Sequence, residues 1–103
     1  MGGVQITDDC RNAFRTGGST VGAAAAQLSA TSVPCTGGVQ IRAADANSGQ
    51  VFVGTTAGVT ADQTATGGYP LDAGESVFVP INDLAKVWLI ATAAGQGYNF
   101  LAI

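Results

Sequence analysis

From Ser19 to Ile103 the apolar residues fall in short runs broken by glycine, asparagine and proline, a rhythm of strands and turns rather than of helices. Val39, Ile41 and Ala43 alternate with Gln40 and Arg42, which sets one apolar face on a half-buried strand. Asn47-Ser48-Gly49 supplies turn chemistry before Val51-Phe52-Val53, so these two segments are expected to form a hairpin. Ser19 to Leu28 contains four consecutive alanines. It is nevertheless entered through Gly17-Gly18, interrupted by Gly22 and left toward Val33-Pro34 without a helical stop signal, so it reads as a strand. Val59-Thr60 is a short extension, and Ala61 to Gly68 a polar loop. Leu71 to Gly74 turns the chain into a strand over Ser76 to Val79, which Pro80 closes. Asn82 to Leu84 turns it again, with one helical turn expected over Asn82 to Ala85, and strands follow over Lys86 to Thr92 and Tyr98 to Ile103.

In the first of these last two strands both faces are apolar, Val87, Leu89 and Ala91 on one side and Trp88, Ile90 and Thr92 on the other. That predicts a central strand or one beneath an oligomer contact. In the second, Leu101 and Ile103 share one face, and Tyr98, Phe100 and Ala102 the other. Six or seven short strands without a sustained helix predict an all-β fold, a small antiparallel β-sandwich or jelly-roll-like barrel.

The segment before Gly17-Gly18 has a different character. It holds two of the four cations, Arg11 and Arg15, the pair Asp8-Asp9, and the scattered apolar residues Val4, Ile6 and Phe14 without a sustained period. Residues 1–18 therefore read as an arm and residues 19–103 as the β-domain. The arm is either a terminus without order of its own or an extended segment that orders against a partner, with Val4, Ile6 and Phe14 as anchors. Arg11, Arg15 and Trp88 complete the candidate partner-binding residues.

A chain of 103 residues holds one core. It has 18 Ala, 15 Gly and 11 Thr, and only 11% charged residues, so its surface cannot be highly charged and is expected to associate. Four cations and a net charge of -3 argue against nucleic acid as a partner. The longest near-apolar run, Val87 to Ala94, is far shorter than the roughly 20 residues of a membrane helix. Met1 to Asp9 lacks the basic and apolar segments of a signal peptide, so export by that route is not expected. With no histidine, a Ser or Cys nucleophile lacks its commonest base. The seven carboxylates sit in turns or the arm, and Gly37-Gly38 and Gly67-Gly68 precede strands rather than helices. No catalytic residue, metal site or cofactor is expected. Cys10 and Cys35 lack metal-ligand spacing and read as two thiols or as one disulfide tying arm to body. The aromatics mostly follow strand periodicity and are assigned to packing. Tyr69, placed in a loop, is the aromatic free to contact a sugar.

The order of motifs adds a resemblance. Val33-Pro34-Cys35 before the strand Gly38 to Ala43, then Gly49 to Gly54, then Tyr69 to Val77 with its Leu-Asp-Ala-Gly-Glu-Ser turn, and Asn82 to Trp88 together resemble small virion structural proteins of tailed bacteriophages, the capsid decoration or cement proteins. The resemblance covers Val33 to Ile103. It implies a non-enzymatic protein on the outer capsid surface, assembled in the host cytoplasm, which bridges neighbouring major capsid proteins and stabilises the head. It also implies homo-oligomers, a trimer first and a dimer second. The alternative from another class is a receptor- or glycan-binding module of a head or tail fibre.

Overall fold

The computed structural model describes residues 14–103. These form eight strands: β1 (Arg15–Val21), β2 (Ala26–Gln27), β3 (Val39–Ala43), β4 (Val51–Gly54), β5 (Tyr69–Leu71), β6 (Ser76–Val79), β7 (Trp88–Ala91) and β8 (Gln96–Ala102). A single 3-10 turn over Leu84–Lys86 precedes β7. Two four-stranded sheets result, ordered β1-β8-β3-β6 and β2-β7-β4-β5, with every pairing antiparallel. This interleaved order is that of a jelly roll, so the expected small β-sandwich is present.

Successive strands alternate between the sheets except for β4 and β5, which pair with each other. The hairpin expected between Val39–Ala43 and Val51–Val53 is therefore absent: β3 and β4 lie in opposite sheets. The reason lies in how the turn residues are used. Asn47 donates from its amide to the Gly97 carbonyl at 2.8 Å and accepts from the Gly97 N–H at 2.7 Å. The intervening loop is thus pinned to β8 and carries the chain across the core instead of folding it back on itself. The single strand expected over Ser19 to Leu28 is split likewise into β1 and β2. The chain changes sheet at Gly22, whose carbonyl accepts from the Ala91 N–H at 2.8 Å, and Val21 and Leu28 are both buried on either side of the change.

β1 begins at Arg15, so the strand takes up four residues of the segment read as an arm. Gly17 is required there. A Cβ at this position would stand 2.8 Å from the Phe100 ring, which lies across the strand from β8.

The core between the sheets follows the alternation. In β3, Val39, Ile41 and Ala43 are fully buried and Gln40 and Arg42 are exposed. Leu71, Leu84, Leu89, Val51 and Val87 close the interior from the second sheet and the 3-10 turn. A smaller cluster lies behind the second sheet, where Phe52, Val59 and Ile90 are buried with Ala25, Ala61 and Trp88 packed against them. Residues from the β4–β5 loop thus cover the second apolar face of β7, a strand that is indeed central. Gly74, at φ +82°, makes the tight turn that passes from β5 to β6. There the Glu75 carboxylate accepts from the Asp72 N–H at 2.8 Å, and the Gly74 N–H donates to Ala43 at 3.0 Å.

Candidate contact surface

Five large apolar side chains remain exposed among the described residues: Phe14, Tyr69, Phe78, Leu101 and Ile103. Four of them converge. Register places Thr16, Leu101, Gln40 and Phe78 side by side across β1, β8, β3 and β6, all on the face turned away from the core. Extending the same register by one step puts Phe14 beside Ile103 in the next outward row. The Ile103 N–H donates to the Gly38 carbonyl at 2.9 Å, which keeps this end of the chain extended against β3. The rest of the face is polar and nearly neutral: Gln40 donates to the Ser76 hydroxyl at 3.2 Å, Asn99 is exposed, and Arg42 is paired with Asp45 at 2.6 Å. One outer sheet face therefore presents an apolar corner flanked by polar side chains and a paired arginine.

The sequence-derived candidates distribute unevenly around it. Phe14 is 62% exposed at this corner, and Arg15 is the exposed first residue of β1. Val4, Ile6 and Arg11 lie outside the described residues. Trp88 sits on the opposite side of the molecule, half-buried against Phe52, Val59 and Ile90. Tyr69 is exposed, but in strand β5 opposite Val53 rather than in a loop. Strand periodicity assigns Phe78 to packing with the other aromatics, whereas in the structure it stands half exposed on the outer face. The misassignment has a physical source. Phe78 sits between Val77 and Val79, so no polar neighbour marks which parity of β6 faces out.

Elsewhere the polar groups serve the loops. The Asp83 carboxylate accepts from the Val33 and Ala85 N–H groups, each at 2.9 Å, and from the Ser32 hydroxyl. It thereby caps the 3-10 turn and ties it to the segment before β3. Those bonds, the Ser32 hydroxyl first, hold the Asp83 carboxyl below the usual range. The hydroxyls of Thr64 and Thr60 and the Thr64 N–H do the same for Asp62 in the β4–β5 loop. The Cys35 thiol donates to the Ile81 carbonyl at 3.1 Å, and burial pushes its pKa up. Among the described residues no group of three or more His, Cys, Asp or Glu side chains comes together. No helix of the described residues is long and apolar enough to cross a membrane.

No protein-family model and no curated protein matches the chain. Its backbone is similar to a solved structure of Bacillus endospore appendages, described as a family of disulfide-linked pili. The TM-score is 0.52 and the identity 17%, over 86% of this chain and 80% of that one. At this identity the likeness is one of fold.

Proposed function

We propose that this chain is a non-enzymatic structural subunit that works by protein–protein contact in many copies, in the form of a decoration protein on the outer surface of a phage head. The observation that carries the reading is the convergence of Phe14, Phe78, Leu101 and Ile103 on one neutral sheet face, a surface suited to a protein and not to a small ligand. Phe14, at that corner, is joined in sequence to the segment that holds Val4, Ile6 and Arg11. Through these residues the segment docks on the major capsid protein while the sandwich stands on the shell. Many weak contacts bridging neighbouring capsid subunits give high affinity for the assembled head and low affinity for a free subunit. Quantitative mass spectrometry of purified virions tests the reading. Hundreds of copies per particle are expected, a few dozen would point to a fibre or vertex, and absence from the particle would refute it.

A second reading, a subunit of an extracellular appendage, is favoured by the likeness to the pilus fold and by the presence of Cys35 in the body and Cys10 in the preceding segment. It requires filaments with covalent multimers on a non-reducing gel after oxidation of the purified chain. A virion protein of the first kind shows neither.

A further inference from the structure

We propose that the outer face of the β1-β8-β3-β6 sheet is the site at which a second copy of this chain docks, face to face about a two-fold axis. The inference deepens the reading of this face as a contact surface, and it does not depend on the virion.

The occupant follows from four properties of the face. The first is its chemistry. The row Thr16, Leu101, Gln40 and Phe78 and the flanking pair Phe14 and Ile103 contain no ionisable side chain, so two copies bring no like-charged side chains of these rows together. The nearest charge on the face, Arg42, is already neutralised by Asp45 within its own chain. An acidic or basic partner would find nothing to answer it here.

The second is self-complementarity. An isologous contact sets each residue against the same patch of the other copy, and primary amides suit this because each both donates and accepts. Gln40 and Asn99, exposed on adjacent strands beside Leu101, are such groups.

The third is area. Four strands about 4.8 Å apart, β1 and β8 seven residues long, β3 five and β6 four, at about 3.3 Å per residue give a face on the order of 400 Å² in projection. That is about half of the roughly 800 Å² of accessible surface that a standard interface takes from each partner, to which the standing side chains and the rim add.

The fourth is that three of the four sheet edges are poor templates for a further strand. β2 has two residues, β5 contains Pro70 and Pro80 directly follows β6, which leaves β1 as the one long edge. The outer face offers a second copy a surface to pack on rather than a strand to extend, and aligned sheet packing is the geometry that two such faces adopt.

The test is sedimentation equilibrium and light scattering of the full chain across a wide concentration range. A dimer is expected, and Phe78→Ser and Leu101→Ser should each weaken it at least tenfold. Both side chains are at least 42% exposed, so the variants should melt as the parent does at concentrations where both are monomeric. Thr16→Asp, which buries an unpaired charge in the contact, gives the same result without touching an apolar side chain. A parent that stays monomeric overturns the proposal, as does a trimer, which a two-fold contact cannot build. A dimer insensitive to these three substitutions also overturns it. If Val4→Asp abolishes the dimer while Leu101→Ser leaves it intact, the occupant is the N-terminal segment and the proposal fails. A monomer found in hundreds of copies on virions overturns the dimer while sparing the decoration role. A dimer absent from virions does the reverse.

Discussion

Gln96 is the buried polar residue of the described chain, 3% exposed at the start of β8, and replacing it should loosen two loops together. Its carbonyl oxygen accepts from the Gly49 N–H at 2.8 Å, and its amide donates to the Ala94 carbonyl at 3.0 Å and to the Ser48 hydroxyl at 3.2 Å. The first and third bonds hold the β3–β4 crossing, and the second closes the turn from β7 into β8. A net contribution of about 0.5–1.5 kcal/mol per bond sets the loss for Gln96→Ala at about 1.5–4.5 kcal/mol. That is a large share of the roughly 5–15 kcal/mol by which such a domain is stable. Ser48→Ala removes one bond and should cost about 0.5–1.5 kcal/mol.

Gln96→Glu is the sharper probe, because it keeps the shape and the acceptor for Gly49 but loses the amide donors. Burial and the facing Ala94 carbonyl raise the folded pKa of the new carboxyl above its unfolded value of about 4.3. The folded state then binds the proton more tightly than the unfolded one. Relative to the parent, the variant should be most stable below about pH 4.3 and lose stability as pH rises through the raised value. Urea unfolding at several pH values measures all three variants, with the midpoint shifting and the slope unchanged. A Gln96→Ala variant within about 0.5 kcal/mol of the parent, or a Gln96→Glu variant whose relative stability is flat or rises with pH, would refute the reasoning.

Acid should act through the two carboxyls held low by hydrogen bonds. The stability that Asp83 and Asp62 contribute is complete above the ordinary carboxylate range and is lost as pH falls through their lowered folded values. Asp83→Asn should therefore flatten the acid limb of a melting-temperature profile, and an unaltered limb would show that the cap carries no linkage. Removal of Tyr98 to Ile103 deletes the strand that pairs with both β1 and β3, including the buried Tyr98 and Ala102. A large buried side chain is worth about 1.5–3 kcal/mol, and the lost ladder adds to it, so the truncated chain should be insoluble or unfolded. A soluble product with a cooperative melt would contradict this. Under the proposed decoration role, Tyr69→Ala, at the exposed start of β5 and away from the apolar corner, should leave host-cell binding unchanged; loss of that binding with normal incorporation would favour a glycan-binding module instead.

The strands were legible and their partners were not. Alternation in Val39 to Ala43 reports which side chains are buried, because a half-buried strand writes its two faces in two chemistries. The two apolar faces of Trp88–Ala91 likewise announced a central strand. Asn47-Ser48-Gly49, however, is equally good chemistry for a hairpin and for a crossing between sheets. The choice between them is made by Asn47 bonding to Gly97, fifty positions away. β1 and β2 merged in the sequence because the change of sheet over Gly22 to Ala25 uses small residues alone and no proline or polar cluster. The contact face was half visible: Phe14 stood out as an apolar residue in a polar segment, and Leu101 and Ile103 shared a parity. Its far side was hidden because Phe78 lies among valines, and because only the pairing of β3 with β6 brings it opposite Gln40.

The economy of charge and the closure of the edges bear on the same question from opposite sides. A jelly roll leaves four strand edges, two for each sheet, and each is an invitation to pair with another chain. Here proline and brevity blunt three of those edges, whereas among the described residues the outer face of the first sheet carries no comparable device: its apolar corner is neither broken by a lysine nor covered by a loop. The second sheet shows that covering was possible, since Val59 and Ala61 from the β4–β5 loop are laid over Phe52 and Ile90. One sheet is sealed within the monomer and the other is left apolar at its corner. In the proposed dimer that asymmetry confines association to a single face of fixed geometry, which would distinguish a subunit that assembles from a chain whose sparse charges merely leave it prone to aggregate.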